Sequence, residues 1–234
     1  MEGQAINSLQ ARHMAFINEL DAFREESSRR ELEKCRAEQI REIIQNVPLR
    51  FRGKELVDFR VDFSTQHKIK KIVERYIATF TDRLKAGNCL VFCGKPGTGK
   101  TMLSLIIYQA LAQAGFTVGY EPSLQFLRRL REKEFESDAA FNSQLNMYLQ
   151  KSFLILDEIT EGVGKSCYPA DWERKLLLTL INARYERQLC TLAISNMSKQ
   201  AMLERLGDPT VDRLIENGLF LAFDWHSYRK QQGE

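Results

Sequence analysis

From about residue 60 onward, two kinds of apolar pattern alternate along the chain. Short, nearly continuous apolar runs predict buried strands, and longer stretches with apolar residues three or four apart predict helices. The strands are expected at 89–93, 116–120, 152–157, 190–195 and 218–223. The helices are expected at 65–85, 100–114, 122–135, 138–150, 171–187, 198–206 and 209–216. This alternation predicts an α/β fold in which helices cover both faces of a parallel sheet.

The first 47 residues follow a different pattern. Apolar residues recur at helical spacing in two groups, separated by the stretch 24–42 with six basic and six acidic side chains. The groups are Ile6, Leu9, Phe16, Ile17, Leu20 and Phe23, and then Leu32, Ile40, Ile43, Ile44 and Val47. We expect two helices that form a small N-terminal domain at 1–47, a linker at 48–60 and the α/β domain at 61–234. Because so small a domain buries little apolar surface alone, it is interpreted as a docking module; the alternative is packing onto its own core.

Composition excludes several classes of protein. In 234 residues, no apolar run approaches the ~18 needed for a membrane span, and the N-terminus does not resemble a signal peptide. Five cysteines without a CxxC pair and three scattered histidines argue against a zinc site and favour a reduced, cytoplasmic setting. The net charge of +3 does not by itself indicate a nucleic-acid partner, so any such contact must be local.

Residues 94–101, with the sequence GKPGTGKT, form a complete phosphate-binding loop between a predicted strand and a predicted helix. Glycines allow the backbone to aim several N–H groups at one phosphate, and the helix N-terminus adds partial positive charge. Lys100 is expected to reach the β- and γ-phosphates, and the Thr101 hydroxyl is expected to bind Mg²⁺. The sequence therefore predicts binding of a nucleoside triphosphate, held by Gly97, Thr98, Gly99, Lys100 and Thr101.

Polar residues follow the next central strands. Asp157 ends the strand at 152–157 and Glu158 comes directly after it, and Asn196 follows the strand at 190–195. We expect Asp157 to share Mg²⁺ with Thr101 and Glu158 to activate a water molecule. Asn196 is expected to hydrogen-bond that water or the γ-phosphate, although an asparagine there is also a common turn residue. Because an added glutamate favours water over a substrate hydroxyl as acceptor, we predict ATP hydrolysis.

Five sequence blocks together resemble the AAA+ ATPases of the DnaC-type replicative helicase loaders. They are GKPGTGKT (94–101), LILDE (154–158), AISN (193–196), DPTVDR (208–213) and FDWHSYR (223–229), and the resemblance covers about residues 50–230. It implies a P-loop AAA+ (ASCE) sheet of order 5-1-4-3-2, and the short tail after the last strand implies that no C-terminal lid domain is present. It also implies that Arg213 is an arginine finger and Arg229 a second nucleotide sensor. Without those roles, Arg213 belongs to an ordinary amphipathic helix and Arg229 to a terminal tail.

The resemblance also implies partners and a task. ATP and Mg²⁺ would lie at the boundaries of a homo-oligomer, and the N-terminal domain would grip a DnaB-type hexameric helicase and load it during replication. One alternative is an IstB-type transposition helper that acts on duplex DNA. A further alternative is a scaffold that uses ATP, without hydrolysis, to order its interfaces.

A basic segment with aromatic residues indicates a contact with single-stranded DNA. The segment includes Phe126, Arg128, Arg129, Arg131, Lys133 and Phe135. By the resemblance, Phe135 and Trp172 occupy positions where relatives place aromatic residues facing DNA, and Trp172 follows an insertion at 162–171. The alternative is that the aromatic rings belong to the core and the arginines to a solvated helix face.

Overall fold

The computed structural model describes residues 2–160 and 170–228. The chain divides into two compact units, Met1–Asn46 and Val47–Glu234. The first unit is one continuous helix, α1 (Glu2–Gln45), rather than the two helices that the pattern predicted. No glycine or proline interrupts residues 4–47. The charged stretch supports the helix through pairs one turn apart, such as Arg30 with Glu26 at 2.6 Å.

The second unit is a sheet covered by helices. Its strands are β1 (Leu90–Gly94), β2 (Val118–Pro122), β3 (Phe153–Asp157), β4 (Cys190–Ser195) and β5 (Leu219–Phe223). Its helices are α2 (Ser64–Ala78), α3 (Phe80–Lys85), α4 (Lys100–Gln113), α5 (Ser123–Glu136), α6 (Asp138–Leu149), α7 (Ala170–Glu186), α8 (Lys199–Leu206) and α9 (Asp208–Ile215). The strands pair in parallel in the order β2-β3-β4-β1-β5, which confirms the predicted 5-1-4-3-2 sheet.

Two local differences from the expected elements have clear causes. The helix predicted at 65–85 breaks at Thr79, whose hydroxyl donates to the carbonyl oxygen of Arg75 at 2.7 Å and whose φ and ψ are −110° and 22°. The predicted linker at 48–60 is structured in part. It contains two 3₁₀ turns, Leu49–Phe51 and Leu56–Asp58, and the ring of Phe59 is buried.

The sheet determines where the polar residues meet. Central strands β3 and β4 are buried along their whole length, as expected for a parallel sheet covered on both faces. Ligands of such sheets bind beyond the carboxyl ends of the strands. The ends of β1, β3 and β4 therefore place the phosphate-binding loop, Asp157 and Asn196 at one edge of the sheet.

Candidate nucleotide-binding site

The loop after β1 has the backbone that phosphate binding requires. Gly94 has φ 122°, and a Cβ atom at this position would overlap the carbonyl oxygen of Phe223 on β5. Gly99 has φ 95°, and its Cβ would lie 3.0 Å from the ring of Phe59. These two positions therefore require glycine, for conformation and for space. The Thr98 hydroxyl donates to the carbonyl oxygen of Lys95 at 2.8 Å and closes the loop on itself.

The start of α4 presents positive charge to this loop. The N–H of Leu103 donates to Gly99 O at 2.9 Å, so the N–H groups of residues 100–102 precede the intrahelical bonds and point out of the helix end. The Lys100 ammonium is buried and donates to Gly94 O and Lys95 O, each at 2.7 Å. Burial raises the pKa of the neighbouring Cys93 thiol to about 11, so this thiol stays neutral below the loop.

Thr101 and Asp157 meet at the edge of the loop. The Thr101 hydroxyl donates to Asp157 Oδ2 at 3.1 Å, and Asp157 is only 5% exposed. A hydroxyl beside a carboxylate is the kind of oxygen donor set that Mg²⁺ prefers. Residues 2–160 and 170–228 contain no cluster of three or more metal-binding side chains. The oxygens of Thr101 and Asp157 fit an ion that is held in part by the protein and in part by phosphate oxygens.

Glu158 and Asn196 line the same cleft as the loop and Asp157. Glu158 has φ 55°, a left-handed conformation that is uncommon for a residue with a side chain. Its N–H donates to Asp157 Oδ1 at 2.9 Å, and the next N–H, that of Ile159, donates to the carbonyl oxygen of Ile194 on β4 at 2.9 Å. The turn that exposes the Glu158 carboxylate is thus anchored on both sides.

Sequence reasoning missed four residues around the loop. Arg50 and Phe51 from the first 3₁₀ turn line the cleft, and so does Tyr228 near the C-terminus. Tyr228 donates its N–H to Gly97 O at 2.9 Å, and the ring of Phe59 packs beside Gly99. For Phe51 and Phe59, the available indication was the presence of aromatic residues in a stretch otherwise typical of a linker.

A fifth missed residue, Tyr120 on β2, contacts Asp157 directly. Its hydroxyl donates to Asp157 Oδ2 at 2.9 Å. Burial, reinforced by the negative charge of Asp157, raises the pKa of Tyr120 well above its ordinary value. The phenol therefore stays protonated and remains a hydrogen-bond donor. The predicted strand order places β2 beside β3 and could have identified this residue.

Of the two arginines with predicted roles, Arg213 and Arg229, the structure describes only Arg213. Arg213 lies on α9, where it donates to Pro209 O at 3.0 Å, with its guanidinium carbon 5.9 Å from the centre of the Tyr185 ring. The cations among the described residues that line the cleft are Arg50 and Lys100. Arg213 is thus placed outside the cleft of its own chain. Arg229 lies outside the described residues.

The predicted DNA-contacting residues lie on α5 and α7. Phe135 is 76% exposed, Arg128 and Arg129 are also exposed, and Trp172 is partly buried. Arg131 joins the two rings, because its guanidinium carbon lies 4.6 Å from the centre of the Phe135 ring and 4.8 Å from that of Trp172. Phe126, from the same basic segment, is instead fully buried in the core. Most of the insertion at 162–171 lies outside the described residues.

Together, a 5-1-4-3-2 parallel sheet, a phosphate-binding loop after β1 and an Asp-Glu pair after β3 define an AAA+ P-loop protein. The chain matches the family described as IstB-like ATP binding protein over residues 4–234, and it belongs to that family. This confirms the relationship that the five sequence blocks predicted, and the family's description supports ATP as the ligand.

Named relatives and solved structures agree with this placement. The chain is 25% identical over 175 residues to the replicative helicase loader DnaC of Escherichia coli K12, a match that covers 74% of this chain and 68% of the relative. DnaC of Buchnera aphidicola from Acyrthosiphon pisum matches with the same identity and coverage. A crystal structure of the DnaC helicase loader superposes with TM-score 0.65 at 23% identity, over 75% of this chain and 99% of that one. A crystal structure of DnaI gives TM-score 0.61 at 18% identity, over 78% and 94%.

One further finding concerns membranes. Among residues 2–160 and 170–228, no helix combines the length and the apolar composition that a membrane crossing requires.

Proposed function

We propose that the chain is an ATP-hydrolysing loader of a hexameric replicative DNA helicase. The observation that carries this proposal is the cleft itself: the loop, Asp157, Glu158 and Asn196 line one space in a protein of this family. The relatives named as replicative helicase loaders support the task, since they match nearly three quarters of the chain.

The residues of the cleft have complementary roles in hydrolysis. The N–H groups at the start of α4 and the Lys100 ammonium hold the phosphates. Mg²⁺, when held by Thr101 and Asp157, supplies positive charge that neutralises the phosphate oxygens. Glu158 accepts a proton from water, the water oxygen bonds to the γ-phosphorus, and the bond to the ADP oxygen breaks. Asn196 orients the water or the γ-phosphate without adding charge.

Arg213 is proposed to complete the cleft of a second copy of the chain. Charge that spreads over the γ-phosphate in the transition state is stabilised by an additional cation. Within its own chain, Arg213 on α9 lies beside the ring of Tyr185 on α7. Its contribution to hydrolysis therefore requires a homo-oligomer. We therefore expect slow hydrolysis by the isolated chain and faster hydrolysis in the assembly.

The N-terminal unit is proposed to dock on the helicase. Among the side chains of α1 that the structure describes, those of Phe23 and Leu32 are large, apolar and well exposed, at 68% and 73%. Large apolar side chains that are exposed on a helix can serve as anchors when that helix binds a partner. The exchange of ATP for ADP would then switch the loader between holding and releasing the helicase on DNA.

Single-stranded DNA is proposed to contact the α5–α7 surface, defined by Arg128, Arg129, Arg131, Phe135 and Trp172. The exposed ring of Phe135 can stack on a base, and the Arg131 guanidinium lies within 5 Å of the centres of this ring and of the Trp172 ring. Arg128 and Arg129 are exposed on the same helix and can attract the phosphate backbone.

Co-purification with the host's replicative helicase tests the loading proposal. The full chain should retain the hexamer in the presence of ATP, and a Phe23→Ser, Leu32→Ser double variant should lose it. The matched control is Glu31→Ser with Glu33→Ser, which alters the same helix at polar positions and should retain the helicase. Equal capture by both variants would contradict docking through the exposed apolar residues.

A transposition helper of the IstB type is the second candidate. It is favoured by the family match, which extends over residues 4–234 and so includes helix α1, whereas the loader relatives match about 175 residues. ATP-dependent capture of duplex DNA in filaments, without retention of the helicase, would support this candidate and refute the loader.

A further inference from the structure

The carboxylate of Asp157 is held by two hydroxyls from different elements at the same oxygen atom. Thr101 Oγ1 from the start of α4 donates to Oδ2 at 3.1 Å, and Tyr120 Oη from β2 donates to the same Oδ2 at 2.9 Å. Thr101 belongs to the phosphate-binding loop, whereas Tyr120 comes from the edge strand of the sheet. Tyr120 therefore contacts the proposed magnesium ligand from an element other than the phosphate-binding loop.

The junction of β2 and α5 also holds the main chain of Asp157. The hydroxyl of Ser123, the first residue of α5, donates to Asp157 O at 2.8 Å and is fully buried. Strand pairing fixes this junction, because Tyr120 pairs with Ile155 and Pro122 pairs with Asp157 in parallel register. The side chain and the backbone of Asp157 are thus both held by residues 120–123.

We propose that Tyr120 is a positioning residue that fixes the Asp157 carboxylate for Mg²⁺ in the nucleotide pocket. The inference rests on the proposed binding of magnesium and ATP at this site. A carboxylate that binds a metal directly or through water must keep its plane and rotamer, and partners that bond to such ligands strengthen metal binding. A phenylalanine at position 120 would fill the same space, so the distinctive contribution of tyrosine is the hydroxyl on Oδ2.

Another tyrosine, outside the nucleotide cleft, shows what a purely structural hydroxyl does. Tyr76 on α2 is fully buried, and its hydroxyl donates to the main-chain oxygen of Asn88 at 2.7 Å. That bond joins a helix to the loop before β1 and involves no residue that lines the nucleotide cleft. Tyr76→Phe is therefore a matched control, since it removes one buried hydroxyl and keeps the ring.

The experiment compares ADP binding to the full-length wild type, Tyr120→Phe and Tyr76→Phe by calorimetry over a range of Mg²⁺ concentrations. In Tyr120→Phe, we expect the Mg²⁺ concentration that gives half of the metal-dependent gain in affinity to rise about tenfold. Its ADP affinity in EDTA should equal that of the wild type. Tyr76→Phe should lower the unfolding temperature without changing the Mg²⁺ dependence.

Three results would overturn the proposal. One is a Mg²⁺ dependence of Tyr120→Phe that equals the wild type, and another is a stronger response to Mg²⁺, which would mean that the hydroxyl competes with the metal. The third is an equal loss of ADP affinity with and without Mg²⁺, which would indicate a general disturbance of the pocket. Absence of any nucleotide binding by the wild type would instead refute the proposed site itself, and with it this role.

Discussion

The Thr101 hydroxyl donates to the Asp157 carboxylate at 3.1 Å, although the two residues are 56 positions apart in the sequence. This contact joins the first turn of α4 to the last residue of β3. It brings a loop that binds phosphate to an acid that can bind a metal, so neither element is sufficient alone. The catalytic proposals depend on this junction.

Loss of the Thr101 hydroxyl should impair hydrolysis more than folding. We expect Thr101→Ala to lower the rate of phosphate release at least about tenfold, because one of the two proposed metal ligands is lost. Thr101→Ser keeps the oxygen and should retain most of the activity. A phosphate-release assay with ATP and Mg²⁺ compares the two variants. Equal rates for Thr101→Ala and Thr101→Ser would show that this hydroxyl has no role in catalysis.

Glu158 should limit stability while it supports catalysis. Its φ of 55° costs about 1 kcal/mol relative to glycine, which adopts this conformation freely. Glu158→Gly should therefore raise the free energy of unfolding slightly in urea denaturation. Both Glu158→Gly and Glu158→Gln should abolish hydrolysis. Gln188, with φ 53° in the turn after α7, provides the control. Gln188→Gly should give the same stabilisation with unchanged hydrolysis, and persistent turnover in Glu158→Gln would refute the role of the glutamate as base.

Two inactive variants should restore each other if Arg213 acts in a neighbouring chain. Lys100→Ala cannot hold the phosphates but keeps Arg213, and Arg213→Ala has the opposite defect. Hydrolysis should be low for each variant alone and should recover in their mixture, as measured by phosphate release at increasing ratios. A mixture without any recovery would contradict catalysis across an interface.

Arg50 offers a cation from the same chain, because it lines the cleft directly. If Arg50 supplied the charge in the transition state, Arg50→Ala would be inactive while Arg213→Ala hydrolysed ATP at the wild-type rate. Our account predicts the opposite result: Arg213→Ala should be inactive, and Arg50→Ala should hydrolyse ATP at the wild-type rate. Both variants should be assayed at protein concentrations that allow assembly.

Phe135 should contribute stacking energy to single-stranded DNA. Because stacking on an aromatic ring contributes about 1–3 kcal/mol per base, Phe135→Ala should weaken binding of oligo-dT about tenfold. Phe63→Ala is a matched control, since this ring is also exposed, at 55%, but lies before α2. Fluorescence anisotropy measures both affinities. Equal affinities of the two variants for oligo-dT would contradict stacking of a base on Phe135.

The arginines on α5 should make the affinity for single-stranded DNA depend on salt concentration. Arg128→Ala and Arg129→Ala should each lower the slope of log affinity against log salt concentration by about 0.7, if each guanidinium meets one phosphate. The slope for Phe135→Ala should stay near that of the wild type, because stacking releases no counterions. A wild-type slope in both arginine variants would exclude a phosphate contact.

The fold could be predicted from the sequence because its elements carry strong local patterns. The apolar strands predict the sheet, and the glycine loop predicts the edge at which the nucleotide binds. The strand order followed from the resemblance. The N-terminal helix was harder, since residues 24–42 have too few apolar residues to show a helical period. Pairs such as Arg30 with Glu26 continue the helix there, and a hydrophobic pattern does not detect them.

Residues of the site that lie within motifs could be predicted, and residues that enter it by tertiary packing could not. Asp157 and Glu158 are acidic residues at the end of a strand, so their type and position indicate their chemistry. Arg50 and Phe51 reach the cleft from a stretch without periodicity, and Tyr120 reaches Asp157 from a neighbouring strand. Such contacts depend on strand register and on turn geometry, which sequence patterns describe poorly.

Calorimetric titration of ATP with Mg²⁺ into the wild type, Lys100→Ala and Lys95→Ala tests the central claim most directly. Lys95 lies in the same loop but has an exposed side chain, so it controls for the loss of one positive charge. Our account predicts saturable binding by the wild type and Lys95→Ala, and binding about 10- to 100-fold weaker by Lys100→Ala. No binding by the wild type, or equal affinity of all three proteins, would contradict it.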